Sequence, residues 1–150
     1  MKEDSNISFR LFKISTDQFA IVEDTFKEDE EISLQAGIDF KVSVENKLIG
    51  CFTRFQFQIN NNPFLILNVK CEFTIKEDSW LNFTDNKKGL INLPKELIRH
   101  MAVITVGTSR GVLHAKTENT KFNRFFLPTI NVNDFVKEDL SFPIKEYLKM

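Results

Sequence analysis

Three consecutive stretches of this chain alternate apolar and polar residues with a period of two, and that spacing restricts the fold more than any other feature. From Ile32 through Leu34, Ala36, Ile38, Phe40 and Val42 to Val44, every even-numbered residue is apolar. Between Cys51 and Ile59 the apolar set moves to odd numbers, with Thr53 neutral, and between Leu65 and Ile75 it stays on odd numbers. Successive side chains of a strand point to opposite faces, so this pattern predicts antiparallel strands covered on one side only. An earlier strand is expected near Ile7–Leu11. Its alternation slips at Phe12-Lys13-Ile14, which predicts a bulge, and resumes at Phe19-Ala20-Ile21. Four strands thus come first.

The run Asn60-Asn61-Asn62-Pro63 marks the turn between the third and fourth strands. Both strands carry their apolar residues at odd numbers, so the numbers of paired residues must sum to an even value. Sums of 122 or 124 leave a loop of about five residues, a common hairpin length. At 122 Cys51 faces Cys71; at 124 it faces Phe73. Either way the two thiols are expected near each other on the covered face, as small hydrophobes. Without a nearby histidine or further cysteine they make a poor metal site, and no cofactor is expected.

The second half changes period. Asn92 and Pro94 stand where a helix cap and a first-turn proline belong. Leu97, Met101, Ile104, Thr108, Val112 and Ala115 then follow at helical spacing, beside a second stripe of Ile98, Ala102, Thr105, Ser109 and Leu113. Continued from Pro94 to Glu118, the helix would be roughly 37 Å long. A helix apolar or small around more than half its girth needs two surfaces to bury against. One is its own sheet; a second copy of the chain is the expected other. Beyond it, Phe122, Phe125, Phe126, Leu127 and Ile130 are too apolar for an idle loop. Asn133 or Asp134 is placed to cap a short second helix that includes Phe135 and Val136. Pro143 interrupts the tail before a further turn over Ile144–Met150.

Composition narrows the function classes. One domain over residues 1–150 is the natural organisation for this length. The net charge is −1 with no evident basic stripe, which speaks against nucleic acid as a partner. The longest apolar run, Phe64–Leu67, is far short of a bilayer span. Met1–Ser5 has no apolar signal core, so a cytoplasmic location is expected. Phenylalanine is the anomaly: 16 residues against one Trp and one Tyr. An aromatic β core and an apolar surface that meets a partner both account for it.

The element order and the stretch Phe126-Leu127-Pro128-Thr129-Ile130-Asn131-Val132-Asn133-Asp134-Phe135 resemble the SecB export-chaperone family. Weaker matches are Phe64-Leu65 at the hairpin and Thr108-Ser109-Arg110-Gly111 late in the long helix. The resemblance implies an α+β fold: a four-stranded antiparallel sheet, a long helix and a short C-terminal helix, assembled as a dimer of dimers. It also implies that unfolded polypeptide clients lie in apolar grooves, with Phe122, Phe125, Phe126, Leu127 and Ile130 in contact. Trp80, after the fourth strand, is a further candidate for the groove wall. Family members that serve export dock the motor SecA through acids on the outer sheet face. Here Asn68 aligns with one of those acids and Asp17 only roughly with another, and the acidic C-terminal extension of many members is missing after Tyr147-Leu148-Lys149-Met150. The branch of the family that serves toxin–antitoxin systems is the alternative, with an antitoxin as the partner.

Other classes have less support. The acidic residues Glu23 and Asp24, with Glu28-Asp29-Glu30-Glu31, form either a solvated connection or a docking surface for a basic partner. His100 and His114 would lie about 21 Å apart along the helix, too far to share a metal or a substrate atom. No Gly-rich phosphate loop, HExxH or nucleophile elbow occurs, so no enzyme is expected. A third possibility is a curved sheet and helix that enclose a small apolar ligand.

Overall fold

A computed structural model describes residues 9–144. Four long strands, β1 (Phe9–Ile21), β2 (Ile32–Ser43), β3 (Leu48–Ile59) and β4 (Asn62–Ile75), form one antiparallel sheet in the order β1-β4-β3-β2. The three hairpin-linked strands β2 to β4 are joined by β1, which reaches β2 through a crossover and lies beside β4: a Greek-key arrangement. Both β1 and β2 are therefore edges. A short helix α1 (Glu77–Phe83) and two short strands, β5 (Thr84–Asp85) and β6 (Leu90–Leu93), lead into the long helix α2 (Lys95–Thr117). A last strand, β7 (Leu140–Pro143), pairs with β6 to complete a second sheet, β5-β6-β7. The class is α+β. Among the described residues no helix is long and apolar enough to cross a membrane.

The register fixes the choice between the two sums at 122. Cys51 pairs with Cys71 and Phe57 with Leu65. The loop is shorter than expected, because Asn60 and Asn61, at φ 52° and 66°, both take the left-handed conformation. Asparagine tolerates that region, and two such residues make the two-residue turn whose twist suits a hairpin. A bulge between Phe57 and Gln58 absorbs the difference, so Ile59 faces Asn62. In β1 the expected slip lies between Leu11 and Lys13, and a second one between Thr16 and Gln18. The expected start at Ile7 lies outside the described residues.

Helix α2 crosses the apolar face of β3 and β4. Its stripe of Ile98, Ala102, Thr105, Ser109 and Leu113 is buried throughout, whereas Ile104, Thr108 and Val112 are only half-buried. Beneath it lie both cysteines, fully buried, and a small polar contact in which the Thr53 and Ser109 hydroxyls meet at 2.8 Å. The Ser109 hydroxyl also reaches the Thr105 carbonyl and that of Thr53 the Val69 carbonyl, so buried polar atoms are satisfied locally. Burial in this low-dielectric layer pushes the Cys51 thiol up to about 12. That of Cys71 also rises, for the same reason.

Helix boundaries correct the sequence expectation in two places. Pro94 is the cap residue and not the first turn, and Asn92 lies in β6. The exposed Lys95 N–H instead donates to the Asp139 carboxylate at 2.9 Å, a distant residue placed where the helix dipole favours an anion. The expected short C-terminal helix is absent among the described residues. In its place stands one 3-10 turn, Val132–Asp134, capped by the Asn131 side chain. Arg99 takes the Val136 carbonyl and Asp139 turns to α2, so the groups a helix would need are engaged elsewhere, and the chain extends into β7. The predicted turn beyond Pro143 lies, after Ile144, outside the described residues.

Candidate functional site

The crossover of residues 22–31 passes the hairpin-turn end of β3 and β4, held by a hydrogen bond from the Val22 N–H to the Phe64 carbonyl. It places Phe26 on Phe64 and Phe122, with ring centroids 5.0 and 5.2 Å apart. After α2 a 3-10 turn, Lys121–Arg124, is capped by Thr120 and inserts Phe122 into the core. Phe125 then packs on Phe57 and Phe64 at 5.8 and 5.2 Å. Five phenylalanines thus close on one another in edge-on and tilted contacts, the geometries favoured by ring quadrupoles. Arg124 lies over Phe26 and Phe125 and donates from Nη2 to both carboxylate oxygens of Glu28, at 3.0 and 3.1 Å; Lys121 approaches Glu23 at 3.9 Å. The acidic crossover is tied down over the ring cluster.

Beyond Phe125 the chain returns along α2. Arg110 donates to the carbonyls of Leu127 and Pro128, and Arg99 to that of Val136, so two helix arginines hold the segment by its backbone. The same segment follows β2. It starts at Phe57, the cross-strand partner of Leu34, and ends where its residues face Ile38 and Phe40. Between β2 and residues 135–142 lies an open groove of about 500 Å³. Ile38, Phe40, Phe135, Leu140 and Phe142 give it apolar walls, and Asp39, Lys137, Glu138 and Ser141 a polar rim. Since β2 pairs, among the described residues, only with β3, alternate N–H and C=O groups along its other side face outward there.

The six residues predicted to touch a client divide sharply. Phe122, Leu127 and Trp80 are buried, at 2%, 3% and 4% exposure, and belong to the subunit's own core. That corrects their assignment: Phe122 completes the ring cluster, Leu127 lies under the returning segment, and Trp80 is drawn inward by α1. Phe125 and Ile130 are half-buried, and Phe126 is 59% exposed. Phe125 and Phe126 differ because the backbone is extended at Phe125, which turns successive side chains opposite ways. The groove residues Ile38, Phe40, Leu140 and Phe142 were missed, and Phe135 had been assigned to a helix. The alternation of β2 was plain, but nothing in it says that β2 is an edge.

The three acids predicted to dock a partner lie on β1 and on the crossover that follows it. Asp17 falls in the second bulge of β1, Glu23 faces Lys121, and Asp24 is exposed on the crossover. His100 packs edge-on against Phe9, and His114 lies near Glu118, so the two do not share a site. Among the described residues no group of three or more His, Cys, Asp or Glu is placed to hold a metal ion. No family model matches the chain, and no curated protein or solved structure matches it either.

Proposed function

We propose that this chain holds extended, incompletely folded polypeptides in the cytoplasm as a SecB-like chaperone and is not an enzyme. The observation that carries this is the apolar groove beside the edge of β2 that no other described strand pairs with. An extended client adds to such an edge as a further strand, through main-chain hydrogen bonds that any sequence supplies. Apolar client residues gain about 1.5–3 kcal/mol each when fully buried in such walls. Affinity then accumulates over several weak contacts, and native proteins, with strands already paired, offer little. A homotetramer belongs to this proposal. The half-covered flank of α2 at Ile104, Thr108 and Val112, with the exposed Leu11 and Ile14 on β1, gives a second copy apolar surface to cover.

A dedicated chaperone for one partner, such as an antitoxin, is the second reading beside delivery to SecA, and the Lys121 ammonium 3.9 Å from Glu23, one of the acids assigned to docking, supports it. The test is suppression of aggregation of an unrelated, chemically unfolded protein by a stoichiometric amount of tetramer, whose size is set by light scattering. Phe126→Ser and Phe135→Ser should each weaken suppression while the circular dichroism stays native. A monomer that suppresses nothing would sink the generic holding role.

A further inference from the structure

The solvent face of the main sheet carries a charge that no stretch of the sequence displays. Register places Arg10 and Lys13 of β1, Lys70 of β4, Arg54 of β3 and Lys41 of β2 on the side opposite α2. The same side carries two carboxylates, Asp39 and Glu72. Five cations against two anions leave this face net positive on a chain whose net charge is −1. Asp39 pairs with Arg54, and Glu72 lies 4.0 Å from Lys70. Among the described residues Arg10, Lys13 and Lys41 have no carboxylate within ion-pair distance.

At the centre of this face lies Phe52, with the Lys41 and Lys70 ammonium groups 5.2 and 5.7 Å from its ring centroid. Two glycines keep the surface flat. A Cβ at Gly50 would come within 3.1 Å of the Phe52 ring, and one at Gly37 within 2.7 Å of the Arg54 guanidinium, so Phe52 lies back along β3 and Arg54 lies across β2. Beside Arg54 is a shallow depression of about 200 Å³ walled by Gln35, Gln56 and Asn68. An apolar step flanked by ammonium groups, next to side-chain amides, matches one ligand chemistry: a peptide with an apolar residue between carboxylates.

We propose that the outer sheet face docks an acidic polypeptide segment, apolar side chain on Phe52 and carboxylates on Lys41 and on Lys70, which lies 4.0 Å from Glu72, while Arg54 keeps its pair with Asp39. Single-stranded nucleic acid fits less well, because it needs successive stacking rings along the strand. This site lies across the sheet from the groove along β2 and does not depend on what that groove holds. Charge complementarity of this kind acts mainly on association rate and specificity, and it weakens with salt.

Fluorescence anisotropy with a labelled peptide of alternating Glu and Leu, on the full chain, tests the proposal. Binding should weaken as salt rises, and Lys41→Glu with Lys70→Glu should reduce affinity by about tenfold or more. Lys41→Gln with Lys70→Gln should give a smaller loss in the same direction, which keeps the test sharp if charge reversal perturbs folding. Amide shift mapping on the unmodified chain should locate the peptide at Lys41, Phe52 and Lys70. Equal affinity for a single-stranded oligonucleotide, no binding at low salt, or shifts confined to β2 and residues 135–142 would each overturn it.

Discussion

The ring cluster at the hairpin-turn end and the groove along β2 are built from the same residue types and have opposite fates. In the cluster, Phe26 arrives from the crossover and Phe122 from the turn after α2, and together they close over Phe57, Phe64 and Phe125. Along β2, the returning segment is held away by its own backbone bonds to Arg99 and Arg110, and Phe40 and Phe135 are left beside open space. The lesson is that aromatic content says little about exposure. What decides is whether a second element can reach the ring without losing hydrogen bonds of its own.

The largest expected effect comes from opening the closed region. Phe64→Ala or Phe122→Ala should destabilise the fold by about 3–5 kcal/mol, read from urea denaturation, because the other four rings cannot collapse into the space. A loss under about 1 kcal/mol would show that the cluster is loosely packed and resembles the groove after all.

Next comes a control that belongs to neither region. Burial holds the Cys51 thiol near 12, against an ordinary value of 9.0. Above pH 9 the unfolded chain sheds this proton and the folded chain keeps it. Stability present below pH 9 is therefore lost as pH rises toward 12, by about 1 kcal/mol per pH unit. Cys51→Ala should make that alkaline slope shallower, leaving the part due to Cys71, whose thiol burial also raises; an unchanged slope would place the titration elsewhere.

The smallest effect on stability is expected in the open region. Phe126→Ser and Phe135→Ser should each shift unfolding by less than about 1 kcal/mol, since surface substitutions away from packed features cost little. If Phe135→Ser unfolds the protein, the groove wall is core and the contrast between the two regions fails; Phe126, exposed but outside the groove lining, is the surface control.

Particular residues show how far the sequence could be read. The turn within Asn60–Pro63 and the closeness of the two thiols on the covered face followed from alternation and turn chemistry, whereas the choice of Cys71 over Phe73 opposite Cys51, and the two-residue turn, came only with the structure. Trp80, Phe122 and Leu127 were assigned to a client surface and are core. Their local pattern is the same in either role, and only the packing of α1 and the crossover distinguishes them. The C-terminal helix failed for a related reason: Asn133 is a plausible cap, yet Asp139 and Val136 are claimed by α2.

The sequence by itself determined the four long strands, the long helix and the apolar face of the sheet, because side-chain periodicity is a property of the local backbone; α1 and the small sheet β5-β6-β7 it did not show. Only the tertiary structure decided which strands are edges, which phenylalanines meet water, and that five cations from four strands gather on one face. Those outcomes depend on contacts between residues far apart in the chain, and the energy of such contacts leaves no periodic mark on any one segment.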